Sequence, residues 1–376
     1  MMVPISILGV ARKDPFDWRT FSGSAACLFT ALRQQGSLHD AISARPTRLV
    51  EALHKGLNLH PHRQRWKFQY DLGVDLRRER TRVALRQIER LDGPFNVICQ
   101  IGSWFDLTRR PGKLTISYQD GNLSTLLNSP YRYPRVRPAF LRRVHAYERQ
   151  VYGKLDAIFP MSRWLAESFI RDFGVSPKRI APPIGAGINL PYLKEVPHKL
   201  YDRPHALFVG KQFERKGGRA LLEAFRAVRK EISEATLTIV GSQVTDLPDG
   251  VRCAGLLSKN TPEGLERLLE EYARASLFVM PSLHEPYGVV FAEAMAHRLP
   301  CIGTAICAMP EIIDDGLTGF VVPPNDSRAL AQRMVELFKD PARCHAMGER
   351  AYAKYLAHHT WDRVAQKMVE HLKALV

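Results

Sequence analysis

Ser282-Leu-His-Glu-Pro-Tyr-Gly-Val-Val-Phe-Ala-Glu-Ala-Met-Ala296 is the stretch on which the reading of this 376-residue chain turns. Ahead of it, Ser276 to Met280 is a short apolar run stopped by Pro281, which reads as a strand. Pro286 and Gly288 break the chain, and a helix is predicted from about Gly288 to His297. Glu285 therefore falls in a loop, and Glu293 about a turn and a half into the helix. The first amides, near Gly288, Val289 and Val290, lack intrahelical partners. Together with the helix dipole they make a site for a phosphate. Carboxylates flanking such a site can accept hydrogen bonds from sugar hydroxyls. A bare pair of glutamates on an ordinary helix start is the competing reading.

The pattern extends in both directions from there. His205 to Val209 and Ala235 to Val240 read as strands. Gly217 to Glu231 reads as a helix with Leu221, Leu222, Ala224, Phe225 and Val228 on one face. Thr261-Pro262-Glu263 starts a helix reaching about Arg274, and a further strand lies around Cys301. Strand and helix alternate, which predicts a parallel sheet covered by helices on both faces. The first half predicts strands at Ile5 to Val10, Val97 to Ile101, Leu114 to Tyr118 and Ala157 to Phe159. It predicts helices at Ser24 to Gln35, Arg77 to Arg90, Ala139 to Tyr152 and Ser162 to Phe173. The strand runs suit two sheets of similar size. Ala181 to Pro204 holds five prolines, a poor helix or central strand, and is read as the linker. The tail from Trp361 to Val376 is amphipathic and helical.

Composition bounds the rest. Hydrophobic residues make up 45% and charged residues 24%, which excludes wholesale disorder and a coiled coil. No apolar run is long enough for a membrane-spanning helix. The opening Met1 to Val10 lacks a basic flank and reads as a first strand, not a signal peptide. The six cysteines form no C-x-x-C pair and read as reduced thiols of a cytosolic protein. The net charge of +16 is unevenly placed: residues 1 to 195 carry +15 of it. An anionic partner on that side is expected: a phosphorylated acceptor, an acidic membrane surface or nucleic acid.

A second segment, Phe208-Val-Gly-Lys-Gln-Phe-Glu-Arg-Lys-Gly217, places Lys211 and Lys216 between a strand end at Gly210 and a helix. Two ammonium groups there suit a diphosphate. A solvated basic loop is the plainer reading of this segment alone. Taken together, the two segments resemble the retaining glycosyltransferases of family 4, which have the two-domain GT-B fold. Glu285 to Glu293 matches that family's E-x7-E element, and Phe208 to Gly217 its pyrophosphate element. Phe159 to Glu167, Ala181 to Asn189, Pro310-Glu311, Gly316 to Asp326 and Trp361 extend the resemblance. It is strong from about Ala157 to Asp326 and weak before it.

The resemblance implies two Rossmann-like β/α/β domains facing across a cleft. Residues 1–187 would bind the acceptor and 188–358 the nucleotide-sugar donor, with 359–376 a helix crossing back to the first domain. Lys211 and Lys216 would bind the donor pyrophosphate, although the family more often has Arg where Lys211 stands. Glu293 would receive ribose hydroxyls and Glu285 hydroxyls of the transferred sugar. Gly210 and the amides of Gly288 to Val290 would face phosphate and sugar, and Arg252 and Cys253 the base. The donor would be UDP- or GDP-linked. The acceptor would be a glycan or a lipid-linked molecule, and the place of action the cytoplasm or the inner membrane face.

The first half departs from the family. Its glycine-rich opening loop is represented by Phe21-Ser-Gly-Ser24, in which Gly23 would let the backbone approach diphosphate or acceptor. A plain helix cap at Ser22 or Ser24 competes with that role. The family histidine after Tyr118 is absent, leaving Gln119 or Asp120 to take its place, or a simple Asp-Gly turn. The histidines at 54, 60, 62, 284, 358 and 359 match no zinc spacing and are read as lying mostly in polar loops. No D-x-D pair occurs, so metal-independent stabilisation of the leaving diphosphate is expected. Competing functions are a nucleic-acid-binding protein with a vestigial donor site and a sugar-nucleotide epimerase. For the former, Arg77 to Arg90 and Tyr131 to Arg143 would form the basic surface. The same basic segments suggest electrostatic contact with an acidic membrane, with no hydrophobic anchor evident.

Overall fold

A computed structural model describes residues 4–91, 93–108, 112–130, 134–193 and 199–376. Residues 1–3, the Tyr131-Arg132-Tyr133 stretch and residues 194–198 of the Pro-rich segment lie outside the described residues. The chain divides into two compact units, Met1–Gly187 with Trp361–Val376, and Ile188–Thr360.

The first unit holds a parallel sheet of β1 (Ile7–Ala11), β2 (Leu38–Ser43), β3 (Val97–Ile101), β4 (Leu114–Gln119) and β5 (Ala157–Pro160). Their order is β2-β1-β3-β4-β5. Strands β1 and β3 are buried end to end and read as apolar runs, broken in β3 only by Gln100, whose buried amide donates to the Gly102 carbonyl at 3.0 Å. The edge strand β2, Leu-His-Asp-Ala-Ile-Ser, is half-exposed and mixed in polarity, so periodicity does not reveal it. From β1 the chain goes to one side for β2 and returns on the other side at β3. The helix Trp361–Lys373 comes back to this unit and packs on the helix Ser24–Gln34. The Gln35 side-chain amide donates to the Asp362 carbonyl at 2.9 Å, and His371 meets Phe159 edge to face at 5.4 Å.

One helix differs from expectation in a way that matters. It runs Val74–Ile88, not Arg77 to Arg90, and it buries Arg77 and Arg80. Arg77 donates to Glu148 at 3.0 Å and to the Ser103 carbonyl at 3.2 Å. Glu148 also accepts from the Ser103 hydroxyl, the Leu123 amide and the Tyr152 hydroxyl. This carboxylate thus ties four elements together in the interior. The basic stretch therefore does not form the continuous solvent-facing surface that a nucleic-acid reading needs.

The second unit holds β6 (His205–Val209), β7 (Thr236–Val240), β8 (Val251–Gly255), β9 (Leu277–Val279), β10 (Cys301–Thr304) and β11 (Gly319–Val322). The order is β11-β10-β9-β6-β7-β8, all parallel. The chain builds outward from β6 to β8, then reverses and builds from β9 to β11. The reversal lies between β6 and β9, where open α/β sheets bind ligands beyond the carboxyl ends of the strands. No helix among the described residues is long and apolar enough to cross a membrane.

Removing one partner of the Arg77–Glu148 pair leaves the other charge buried alone, at a cost of about 3–5 kcal/mol. Glu148→Ala should therefore lower the urea midpoint of the first unit sharply. Arg77→Met with Glu148→Leu should recover much of it. A single variant with an unshifted midpoint would show that the pair does not hold the interior.

Candidate active site

The sites read separately in sequence meet at the switch point of the second unit. The loop after β6 and the loop after β9 touch directly. Gly217 has φ +73°, and a Cβ there would stand 1.8 Å from the Pro281 carbonyl oxygen. Only glycine permits both the left-handed turn and the close approach. The Leu283 amide donates to the Arg215 carbonyl at 2.9 Å, closing the contact.

This contact brings cations to a carboxylate. Lys216 Nζ lies 2.9 Å from Glu285 Oε2 and 3.2 Å from Met280 Sδ. Arg215 Nη1 lies 3.4 Å from the same Glu285 oxygen and also donates to the His284 carbonyl. Burial raises the Glu285 pKa, but the Lys216 and Arg215 charges outweigh it and hold the carboxyl below its ordinary value. Glu285 is therefore an anion at neutral pH, and Lys216 is a buried ammonium whose charge it balances.

Two helices begin beside this cluster, Gly218–Glu231 and Val289–Ala296. Each has a left-handed glycine at its N-cap, Gly217 and Gly288, and neither has a side-chain cap. The Gly218 amide donates to the Phe213 carbonyl at 2.9 Å, while among the described residues the Val289 and Val290 amides are left to an incoming acceptor, which an anion can supply. Gly210, at the end of β6, has its carbonyl bonded by the Ser242 hydroxyl at 2.5 Å. A Cβ at Gly210 would meet Lys216 Cδ at 2.2 Å, so the bare glycine gives the lysine stem its channel.

The remaining sequence candidates fare differently. Lys211 is exposed and makes no contact with Glu285 among the described residues. Glu293 is wholly buried on its helix. Lys259 donates to one of its oxygens and the Tyr272 hydroxyl to the other, the latter at 3.1 Å. Burial, then the Glu293 charge, raises the Tyr272 pKa well above its usual value, so the phenol stays protonated and donates. His297 stacks on Tyr272 at 4.8 Å. Arg252 is committed to Glu271, and Cys253 lies 3.9 Å from the Val244 carbonyl. The structure does not join these two to the Lys216 cluster. Arg215 and Lys259 are the functional candidates that sequence reading passed over. Arg215 adjoined the singled-out Lys216, and Lys259 stood just before the Thr261 helix start. His54, His284 and His359 are buried, not in polar loops as expected.

In the first unit, Gly23 is itself the N-cap of the helix Ser24–Gln34, with φ +92° and no side-chain cap, so neither serine performs that role. Phe21 and Ser22 before it are also left-handed, which is costly for both residue types. Asp120 is exposed at the end of β4, and Gln119 is buried, donating to the Ser117 hydroxyl at 2.5 Å.

The first unit's own switch point, between β1 and β3, carries a cluster that no motif announced. The guanidinium carbons of Arg12, Arg77 and Arg80 lie 4.5, 5.1 and 5.7 Å from the centre of the Trp104 ring. Arg77 has Glu148, and Arg12 has Asp71 at 3.9 Å. Arg80 is 4% exposed, and its buried Nη1 has no hydrogen-bond partner. Burial, reinforced by Arg12, lowers the Arg80 pKa to about 10, so it remains a cation at neutral pH.

Two parallel α/β units, each with its switch-point loops, define a protein of the GT-B type. Residues 203–340, within the second unit, match the family model of Glycosyl transferases group 1. Along the sequence, the chain is 26% identical over 242 residues to the D-inositol 3-phosphate glycosyltransferase of Streptomyces avermitilis. That match covers 58% of this chain and 52% of the relative, and the chain spans about half the length of the curated relatives it matches. In fold it is similar to sucrose-phosphate synthase from Thermosynechococcus elongatus, with a TM-score of 0.72, 18% identity and 99% of both chains covered. It is also similar to Anabaena HepE, solved with UDP and glucose, with a TM-score of 0.66 at 14% identity, covering 98% of this chain and 100% of that one.

The buried His297 gives this site a signature in acid. Burial lowers its pKa from 6.5 to about 4. Between those values the unfolded chain takes up a proton that the folded chain refuses. Its contribution to stability is full above pH 6.5 and falls as pH drops toward 4, by about 3 kcal/mol. His205 is shifted alike, also by burial. His297→Gln should flatten the fall of the urea midpoint between pH 6.5 and 4, and an unchanged slope would show that His297 is not buried neutral.

Proposed function

We propose that the chain is a glycosyltransferase that moves a sugar from a nucleotide-diphosphate donor to an acceptor hydroxyl, with retention of anomeric configuration. The observation that carries this is the cluster of Lys216, Arg215 and Glu285 beside two helix starts that no side chain caps. The donor's diphosphate lies against the Val289 and Val290 amides after Gly288 and shares Lys216 with Glu285. Lys211, exposed on the same loop, reaches the outer phosphate oxygens. Hydroxyls of the transferred sugar bond to Glu285. Ribose hydroxyls compete with Lys259 for Glu293, and Arg252 and Cys253 remain candidates for the base. UDP is the first donor base to test, because a structure of similar fold was solved with it.

In the reaction the bond from the sugar's anomeric carbon to the diphosphate oxygen breaks, and its electron pair leaves with the diphosphate. Lys216, Arg215 and the helix-end amides stabilise that charge as it develops. The acceptor oxygen forms its bond on the same face, and its proton passes to the departing phosphate oxygen. On this reading the charge on the diphosphate is met by the chain's own cations, without a divalent ion. A relative's name records a phosphorylated acceptor, inositol 3-phosphate. Arg80, whose buried Nη1 has no hydrogen-bond partner, suits with Arg12 and Trp104 the same feature: an acceptor carrying a phosphate. The names of the relatives lend no support to the nucleic-acid or epimerase readings.

A melting-point screen of UDP, GDP, ADP and TDP should show one nucleotide that raises the transition. Lys216→Ala should lower kcat/KM on the corresponding nucleotide sugar by roughly 10²–10³, with EDTA leaving the rate unchanged. Product NMR should show the donor's anomeric configuration kept. An unaltered rate in Lys216→Ala would remove the assignment. In the first unit, Arg80→Gln should raise KM for a phosphorylated acceptor while leaving KM for the donor in place. Equal changes in both would argue for a structural role.

A further inference from the structure

The helix Arg48–Leu57 is built inside out. Thr47 caps it, its hydroxyl accepting from the Val50 amide at 3.4 Å. Leu49, Leu53 and Leu57 stand four residues apart and line one face. A helix that packs on a core turns such a row inward. Here the row points outward: Leu49 is 83%, Leu53 61% and Leu57 72% exposed, and Leu59 just beyond is 77% exposed. Among the described residues, no large apolar side chain is more exposed than Leu49, Leu57 and Leu59. The side toward the protein carries the buried His54 with half-buried Val50, Glu51 and Asn58.

The apolar row has a basic rim. Residues 45–67 include Arg45, Arg48, Lys55, Arg63, Arg65 and Lys67 against the single acid Glu51. Glu51 is already paired with Arg45 at 3.0 Å. Arg48, Lys55, Arg63 and Lys67 are exposed. Trp66, on the following helix Arg63–Leu72, is half-buried, and its indole N–H donates to the Lys55 carbonyl at 2.9 Å. That bond fixes the second basic helix to the end of the first.

We propose that this face docks on an anionic lipid bilayer, with the leucines entering the acyl boundary and the cations resting among the headgroups. Charge complementarity selects this occupant. An apolar row framed by cations fits a surface that is apolar within and negative at its rim. A second copy of the chain would instead set the same cationic rim against itself. The sequence reading expected electrostatic contact alone and no hydrophobic anchor. The exposed leucines correct that, since they add a component that salt does not screen. The proposal deepens the glycosyltransferase reading by placing a lipid-linked acceptor at the membrane, but binding is measured without turnover.

The test is flotation of the full chain with vesicles of phosphatidylcholine alone and of phosphatidylcholine mixed with phosphatidylglycerol. The wild type should float with the anionic vesicles and much less with the neutral ones, and part of that binding should survive high salt. Leu49→Ser with Leu53→Ser and Leu57→Ser should weaken partitioning at least about tenfold, and what remains should vanish in salt. Because these side chains are exposed, the melting point should hold. If it falls, Leu49→Ser alone serves in its place. Arg48→Ala with Arg63→Ala and Lys67→Ala should erase the preference for anionic vesicles. The proposal is overturned if the wild type ignores anionic vesicles or if the serine variant binds as well as the wild type. A wild-type dimer that the serine variant dissociates, without vesicle binding, would assign the face to a second copy. Vesicle binding without donor turnover would sink the enzymatic reading and leave this one standing.

Discussion

The second unit depends on one close approach, the backbone of Gly217 against the carbonyl of Pro281. It joins the loop after β6 to the loop after β9, across the point where the sheet reverses its order. Everything chemical in the unit follows from that junction. It sets Lys216 against Glu285, brings Arg215 under the His284 carbonyl, and starts two helices side by side with bare glycines at their caps. A buried ammonium and a buried carboxylate each cost several kcal/mol alone. Held together, each offsets the other's burial, and Lys216 with Arg215 keeps the Glu285 carboxyl ionised in a place that water barely reaches. The pair is thus both the seam between two loops and a ready source of positive charge for a phosphate.

The first unit also reverses its strand order at a switch point, with a different order of strands and different chemistry. Its switch point carries three guanidiniums around one indole; Arg77 has Glu148 at 3.0 Å and Arg12 has Asp71 at 3.9 Å, while Arg80 makes no ion pair that close among the described residues. The buried network of Glu148 fixes Arg77, so Arg77 can serve as a wall of that cluster. Arg80 is left with a buried Nη1 that finds no hydrogen-bond partner among the described residues, while Asp71 and Glu51 act on it through space. The charge excess of the first 195 residues is therefore not a diffuse property. Part of it is locked in the interior, part of it frames the leucine row of Arg48–Leu57, and these two uses call for different partners.

Where apolar periodicity was strong, sequence reading located elements to within a few residues. Strands β3 and β6 and the helix before β9 are examples, since a parallel strand buried on both faces is mostly apolar, with only Gln100 and His205 interrupting these two. It failed at β2, whose edge position tolerates His39 and Asp40. It also failed at Arg48–Leu57, because a helix with leucines turned to solvent has the same periodicity as one with leucines turned inward. At the site, spacing around glycine and proline placed Glu285 and Lys216 in loops ahead of helices, and the resemblance of the two segments to a known family singled them out. Arg215 and Lys259 were not, because nothing local distinguishes a loop cation that meets a carboxylate from one that meets water.

By itself the sequence determined the class of fold, the position of the phosphate-like loops and the imbalance of charge. These are consequences of short-range patterns: apolar runs, helix starts and left-handed glycines. Only the tertiary structure decided which charges meet. Pairing depends on strand order and on angstrom-scale approaches between segments 70 to 71 residues apart, such as Arg215 to Glu285 and Arg77 to Glu148. It also decided which way a row of leucines faces, since periodicity fixes that they share a side and the packing of neighbouring elements fixes which side is covered.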